Sequence, residues 1–285
     1  MTIRCFAWVA VAVAGCLLPT IARAEMVSIG LNAVGPSDAG GGHDGIEVHV
    51  TQRAGVVPQD HWNNMFNAPG QHEVQSYDKY KNRSGSLGSL LDSNGNATGA
   101  SVQWNTDFFT WDIGIPRSSG DHQLMHGYLD VSDNLGASVT VRNLPASYLN
   151  GYDVYVYHES QSGWAEGRVG RLTIGNQALY ARDMVGTFNG TFYEDSYTSL
   201  AEARTGSGGN YVVFRGLTDP NFTLEAIAVW KPDGEPFNRI GIQGLQIVAT
   251  EVPEPATGLL LAIGCLAFGV VVAARRRRGT ARAIG

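Results

Sequence analysis

Cysteine is scarce in this chain of 285 residues, and its three cysteines lie outside the central region. Cys5 and Cys16 occur near the N-terminus, and Cys265 lies in an apolar run near the C-terminus. A domain between them cannot use disulfides, so packing and hydrogen bonds alone must offset its folding entropy. A small scaffold seldom manages this, whereas a region of this length can. We therefore expect one large domain, over residues 25–251.

Basic residues are also few in that region. The chain has 20 Lys and Arg against 26 Asp and Glu, but seven of the arginines and one Glu lie outside residues 25–251. The region therefore has 13 basic and 25 acidic side chains, a net charge of −12. Such a surface is soluble and repels phosphate backbones and anionic lipid. We expect no nucleic-acid partner.

Catalytic motifs are missing as well. His72-Glu73 and His158-Glu159 are not followed by a second His at the spacing of zinc proteases, and the serines of 84–89 do not form Gly-x-Ser-x-Gly. The chain also lacks a phosphate-binding loop and a dinucleotide-binding glycine motif. We expect no enzyme. A carboxylate pair of glycosidase type would leave no sequence signature, so a secreted carbohydrate-active enzyme stays an alternative.

Residues 1–24 have the pattern of a secretory signal peptide. Arg4 supplies the positive charge, Phe6–Leu18 is an apolar run too short to span a bilayer, and a small-x-small site ends at Ala24. We place the cleavage after Ala24. The alternative is a lipoprotein site that would leave Cys16 as a lipidated N-terminus.

The C-terminal tail has three parts in a fixed order. Val252–Pro255 is rich in proline, Ala256–Ala274 is apolar and uncharged, and four consecutive arginines follow at 275–278. The apolar run is just long enough for a transmembrane helix, and the prolines mark where it begins. Arginines beside a membrane favour the cytoplasmic face, so residues 25–251 are expected outside and 279–285 form a short cytoplasmic tail.

This tail resembles the PEP-CTERM sorting signal of Gram-negative bacteria. The residues that carry the resemblance are Pro253, Glu254, Pro255, Arg275, Arg276, Arg277 and Arg278. The resemblance implies an exosortase as partner, which processes the protein at the inner membrane. It further implies a final place at the cell surface or in the extracellular matrix, beside exopolysaccharide. An ordinary tail anchor is the alternative.

Short runs with period-2 alternation, separated by Gly, Asn, Asp and Pro, dominate the central region. We predict strands at 26–34, 46–51, 101–105, 138–142, 152–158, 168–174, 211–215, 222–230 and 240–250. About nine strands with one polar face predict a single antiparallel β-sandwich. Two short helices are expected, one capped by Asp60 and carrying Trp62, Met65 and Phe66, and one capped by Asp121 and extending to Leu129.

The order of these segments resembles a galactose-binding-like jelly roll. The resemblance rests on five stretches: SIGLNAVG, LLDSNGNATGASVQW, NLPASYLNGYDVYVYH, NYVVFRGLTD and IGIQGLQIV. It implies a jelly-roll fold, but a shared fold does not by itself imply a function.

Tryptophans are the best candidates for contact with a glycan, because flat rings stack on the apolar faces of sugars. Trp164 lies in a Gly-bounded loop and Trp111 in the stretch TDFFTWDIG, so both are candidate glycan-binding residues. Trp104 and Trp230 fall inside predicted strands, and we expect them in the core.

One stretch has oxygen-bearing side chains at alternate positions, as a calcium loop would. Asp92, Asn94 and Asn96 are the candidate ligands, but the Glu that completes a helix–loop–helix calcium site is missing. Asn and Asp next to Gly are also what a tight turn needs. We expect a turn, with calcium as the alternative and no other cofactor.

These observations predict an exported surface or matrix protein whose non-catalytic sandwich binds polysaccharide. The alternatives are the secreted enzyme named above and a structural envelope protein without a ligand.

Overall fold

The computed structural model describes residues 26–36, 45–66, 83–132, 135–159, 167–235 and 237–250. Residues 26–250 form one compact unit. The predicted signal peptide and the whole C-terminal tail lie outside the described residues. Among the residues that are described, no helix is both long and apolar enough to cross a bilayer.

The described residues form mostly strands. They are β1 (Ser28–Ala33), β2 (Gly35–Pro36), β3 (Gly45–Ile46), β4 (Asn63–Met65), β5 (Ser84–Leu87), β6 (Ser101–Thr106), β7 (Thr110–Asp112), β8 (Gly127–Ser132), β9 (Gly136–Arg142), β10 (Tyr152–His158), β11 (Val169–Ile174), β12 (Gln177–Arg182), β13 (Tyr211–Leu217), β14 (Phe222–Trp230) and β15 (Arg239–Ala249). The helices are α1 (Gly120–Leu124) and α2 (Leu200–Thr205), with a 3-10 turn at Ala146–Tyr148.

The strands form two large sheets. The first has the order β13-β10-β15-β1-β4, and the N-terminal part of the long strand β15 also pairs with β8, which pairs with β7. The second has the order β12-β11-β14-β9-β6-β5. All of these pairings are antiparallel except that of β1 with β4. The predicted antiparallel sandwich is therefore confirmed, with one parallel pair at an edge.

Inward-facing residues of both sheets make one apolar core. Val154 and Val156 from the first sheet share it with Val139, Val141 and Leu224 from the second, and all are at most 1% exposed. In β14 the burial alternates over residues 222–228, as expected for a strand with one wet face. The period-2 pattern in the sequence thus correctly indicates which side chains of these strands face the core.

The helix predicted after Asp60 is wrong. Asn63–Met65 forms β4, which pairs in parallel with residues 31–33 of β1. His61 has φ 58, a left-handed conformation that interrupts a helix at its start. Because a helix of about two turns is marginal by itself, hydrogen bonds to the open edge of β1 are the better alternative for this backbone.

The second predicted helix exists but is shorter than expected. Its N-cap is Ser119, whose hydroxyl accepts a hydrogen bond from the His122 amide, and the helix ends at Leu124. Tyr128 and Leu129, which we expected on it, lie in β8. Gly127 begins that strand, and a side chain there would come within 2.1 Å of the Gly35 nitrogen, so only glycine permits this close approach.

The two tryptophans expected in the core differ in environment. Trp104 is 1% exposed and lies in the main core. Trp230, at the end of β14, is only half-buried, and the guanidinium groups of Arg182 and Arg204 lie 5.7 and 5.0 Å from its ring centroid. The prediction for Trp230 is therefore wrong, because the sheet ends there and two cations cover the ring instead of the opposite sheet.

A second apolar cluster covers part of the outer face of the first sheet. Trp62, Leu124 and Phe188 come from loops and α1, and they pack on Tyr128 and Tyr157 of the sheet. The loops on this face are thus anchored by aromatic contacts, which matters for the surface described next.

Candidate functional site

The structure places only some of the candidate residues. The sorting-signal residues and Trp164 lie outside the described residues. Trp111 lies in β7, is half-buried, and meets Phe109 edge to face with 5.6 Å between ring centroids. Its ring also packs against the outer aromatic cluster, which leaves only part of it for contact with a ligand.

Asp92 organises a tight turn. Its Oδ1 accepts hydrogen bonds from the amides of Asn94 and Asn96 at 2.9 and 2.8 Å, and its own amide donates to the Asn96 carbonyl at 2.9 Å. Asn94 and Asn96 are exposed, whereas Asp92 is buried. One Asp92 carboxylate oxygen is therefore already occupied by two backbone donors, which is the geometry of an Asx turn.

Because an Asx turn needs no ion, a chelator should leave the melting temperature unchanged. A bound calcium ion, present at 100 times its dissociation constant, would add about 2.7 kcal/mol of stability that the chelator would remove. Asp92→Ala should destabilise the protein by about 1–2 kcal/mol, because the amides of Asn94 and Asn96 lose their acceptor in a partly buried turn. Asn94→Ala, which removes only an exposed side chain, is the matched control. A fall of several degrees on chelation would instead establish a metal site.

Two tyrosines lie side by side on the outer face of the first sheet. Tyr155 of β10 and Tyr211 of β13 have ring centroids 6.1 Å apart and ring planes inclined by 32°, and each is half-buried. Phe192 extends this surface, with its centroid 6.3 Å from that of Tyr211. We call Tyr155, Tyr211 and Phe192 the tyrosine face. It is a partly exposed aromatic surface formed by two paired strands and one loop residue.

Charged groups border the tyrosine face. Arg215 donates two hydrogen bonds to the carboxylate of Glu194, each 3.1 Å long. Burial alone would raise the pKa of Glu194, but these hydrogen bonds and one from Ser196 lower it. Burial, followed by the nearby carboxylate of Asp153, raises the pKa of Tyr155. At neutral pH the border therefore presents an ionised pair and a neutral phenol, all able to hydrogen-bond hydroxyl groups.

A buried ion pair holds the loop that carries Phe192 and Glu194. His158 Nε2 and Asp195 Oδ1 are 2.8 Å apart, and their side chains are 0% and 1% exposed. Burial alone would lower the pKa of His158, but Asp195 raises it. Asn210 adds hydrogen bonds to the Thr191 carbonyl and from the Tyr193 amide. Because a substrate cannot reach this pair, we assign it a positioning role for the loop.

Glu159 is a second buried acid beside this loop. It is 1% exposed, and its Oε1 accepts a hydrogen bond from the Phe188 amide at 2.8 Å. Burial, with a smaller contribution from Asp183, raises its pKa to about 9. At neutral pH this carboxyl is therefore protonated in the folded protein, and it holds the start of the loop as a neutral group.

Sequence reasoning missed the tyrosine face. Tyr155 and Tyr211 are separated by many residues, and only the pairing of β10 with β13 brings them together. The available signal was the alternation of Asp153, Tyr155 and Tyr157 in one strand, which places these three side chains on the face opposite Val154 and Val156.

Comparison with protein families identifies the tail. Residues 251–278 match the model described as PEP-CTERM protein-sorting motif. The chain carries a PEP-CTERM sorting motif. This finding supports export and sorting by an exosortase. The PEP-CTERM match covers the tail alone, and neither a curated protein nor a solved structure shows significant similarity to the chain.

Proposed function

We propose that this protein is an exported, exosortase-processed component of the cell surface or extracellular matrix, and that its sandwich binds polysaccharide without catalysis. The apolar segment 256–274 would hold the precursor in the inner membrane, with Arg275–Arg278 in the cytoplasm, until an exosortase removes it. The observation that supports binding is the tyrosine face, where tyrosine rings of two paired strands lie beside Phe192 and an ionised pair.

The chemistry of this surface favours a saccharide. Sugars present apolar ring faces bordered by hydroxyl groups, and a half-exposed tyrosine pair with polar neighbours matches both features. Tyr155 and Tyr211 lie on paired strands, and the loop with Phe192 is held by His158 and Asp195. Little conformational freedom is therefore lost on binding, which favours affinity.

The same surface favours binding over hydrolysis. Glycosidases of the common type need one carboxyl group that stays protonated as a general acid. Glu194 has a lowered pKa and is paired with Arg215, so it does not supply that acid. The Glu159 carboxyl has a raised pKa but is buried away from the surface.

Substitution of the tyrosines tests this proposal. Tyr155→Ala and Tyr211→Ala should each weaken binding about tenfold, or about 1.4 kcal/mol, because tyrosine is enriched among the few contacts whose truncation costs more than about 1 kcal/mol. Tyr155→Phe keeps the ring and should retain most of the affinity. The measurement is retardation in native gels that contain neutral polysaccharides, acidic polysaccharides or polysaccharide shed by the host.

The matched control is Phe237→Ala, which removes an aromatic ring that is 52% exposed and precedes the part of β15 that pairs with β8. Its mobility should equal that of the wild type. If the wild-type protein is not retarded in any of the gels, the binding proposal fails and a structural envelope protein without a ligand is favoured.

A further inference from the structure

A separate cavity lies on the outer face of the second sheet and extends around one end of the sandwich, where Tyr152 of β10 and Leu217 of β13 also line it. It has a volume of about 550 Å³, within the usual range for ligand sites. Its base is formed by polar side chains of three neighbouring strands: Thr140 and Arg142 of β9, Thr223 and Glu225 of β14, and Thr173 of β11. We call this cavity the end cleft.

Strand pairing fixes the positions of these side chains. Thr223 lies opposite Thr140, and their hydroxyl oxygens are 2.9 Å apart. Glu225 lies opposite Thr173 on the other neighbouring strand. The functional groups are therefore carried by a continuous backbone ladder, so their spacing is set before any ligand arrives.

Two connections form the walls of the end cleft. Asn176 comes from the turn between β11 and β12, Gln177 begins β12, and Asp219 and Asn221 come from the connection between β13 and β14. The latter is anchored, because the hydroxyl of the buried Tyr152 donates to the Asp219 carbonyl at 2.7 Å. Asn221 is also held, by a hydrogen bond of 2.9 Å from the Asn143 amide.

The lining combines hydroxyl, amide, cationic and anionic groups. Within the described part of the chain, neither Arg142 nor Glu225 has an ion-pair partner, although both line the same cavity. Hydroxyl groups both donate and accept, while Arg only donates and Glu only accepts when ionised. A ligand with several adjacent hydroxyl groups satisfies such a mixture, whereas an apolar ligand would leave these groups unpaired.

The end cleft and the tyrosine face lie on opposite sides of the sandwich. Tyr155 points away from the core because its neighbours Val154 and Val156 point into it, and Thr140 does so because Val139 and Val141 point inward. Tyr152 and Leu217 of the first sheet line only the end of the cleft, whereas its polar residues Thr140, Thr223 and Glu225 lie on the outer face of the second sheet. Because packed sheets are about 10 Å apart, a segment of polymer that stacks on Tyr155 and Tyr211 does not contact those polar residues at the same time.

We propose that the end cleft is a second saccharide site and that each domain bridges two polysaccharide chains. This inference rests on the proposed function of the tyrosine face. One rigid domain with a site on each side links separate chains of a polymer that repeats its binding unit. Mixing the protein with such a polysaccharide would then build a cross-linked network, whereas a protein with one site would only coat the polymer.

Bridging is tested with the processed protein, purified from its host. The protein is mixed with the polysaccharide that retards it most strongly in native gels, and turbidity is measured. The wild type should precipitate this polysaccharide. The cleft variant Arg142→Ala/Glu225→Ala and the face variant Tyr155→Ala/Tyr211→Ala should each lose precipitation. The cleft variant should still be retarded in gels, and calorimetry with an oligosaccharide should give one bound ligand for each single-site variant and two for the wild type.

Arg171→Ala is the matched control, because Arg171 is an exposed cation of β11 outside the cleft lining. It should precipitate the polysaccharide like the wild type. Binding of one oligosaccharide per wild-type chain, or precipitation that survives in the cleft variant, would overturn bridging and leave the proposed function intact. Absence of any wild-type binding would overturn both.

Discussion

Replacement of Pro253, Glu254 and Pro255 by alanine should leave the protein unprocessed in the inner membrane of its host. The wild type should instead appear as a shortened form at the cell surface or in the medium. The substitutions leave the apolar run 256–274 and the four arginines unchanged. Membrane insertion depends on those two features, so it should survive.

The large effect is expected because an enzyme must recognise the box. Proline favours an extended backbone and cannot continue a helix, so under the sorting hypothesis the enzyme would read Pro-Glu-Pro as a stiff segment next to the expected helix. Alanine would remove this restriction and favour continuation of that helix through the box. A simple anchor would be unaffected, because it needs only hydrophobicity and flanking charge.

The measurement is immunoblotting of fractionated cells and culture medium. The control Gly279→Ala/Thr280→Ala changes two residues just beyond the matched segment 251–278 and should be processed normally. Equal sizes and equal fractions for the box variant and the wild type would show that the tail is an ordinary anchor, contrary to the sorting hypothesis.

Glu159→Gln should stabilise the protein at pH 8 by more than about 2 kcal/mol, with an effect that increases with pH. The folded protein raises the pKa of Glu159 from 4.5 to about 9. Between these two values the unfolded chain releases a proton that the folded state retains. Stability therefore falls as pH rises through this window, at up to about 1.4 kcal/mol per pH unit.

Glutamine removes this dependence because it stays neutral at every pH. Its carbonyl oxygen can still accept the hydrogen bond that the Phe188 amide donates to Glu159 Oε1. Well below pH 4.5 the glutamate and the glutamine at this position are both neutral in the folded and unfolded states. The variant and the wild type should therefore differ there only by a constant offset in the free energy of unfolding. The informative quantity is how this difference in free energy changes with pH.

Thermal unfolding between pH 4 and 9 measures this difference. For a domain of this size, about 2 kcal/mol corresponds to a shift of about 4–8 °C. Glu225→Gln also removes one carboxyl group, but from the exposed face of β14, and should follow the wild-type profile much more closely. Parallel profiles for Glu159→Gln and the wild type would show that Glu159 is ionised in the folded protein at neutral pH.

Local patterns determined the long strands and the identity of the tail. β10 and β14 have the bounds that alternation predicted, 152–158 and 222–230, because a sheet with one wet face imposes period 2 on residues that are adjacent in sequence. The sorting motif was likewise readable, because its box, apolar run and arginines act in linear order.

The conformation of the short segments was decided by the elements that they contact in the tertiary structure. Trp62, Met65 and Phe66 have helical spacing, yet Asn63–Met65 forms β4 and pairs with β1. The open edge of β1 offers hydrogen bonds that stabilise a short strand, whereas an isolated two-turn helix is marginal. β8 begins at Gly127, soon after α1 ends at Leu124, and only the tertiary structure shows that Gly127 lies too near Gly35 for a larger side chain.

Both candidate sites also depended on tertiary structure. Tyr155 and Tyr211 become neighbours only when β10 pairs with β13, and Thr173 and Thr140 only when β14 lies between their strands. His158 meets Asp195, and Glu159 becomes buried, because a distant loop folds over the sheet. The sequence by itself determined the strand-forming residues, the wet faces and the sorting signal, since these depend on neighbours along the chain. Which wet faces became an aromatic surface or a polar cleft was decided by strand order and loop packing, which join residues far apart in sequence.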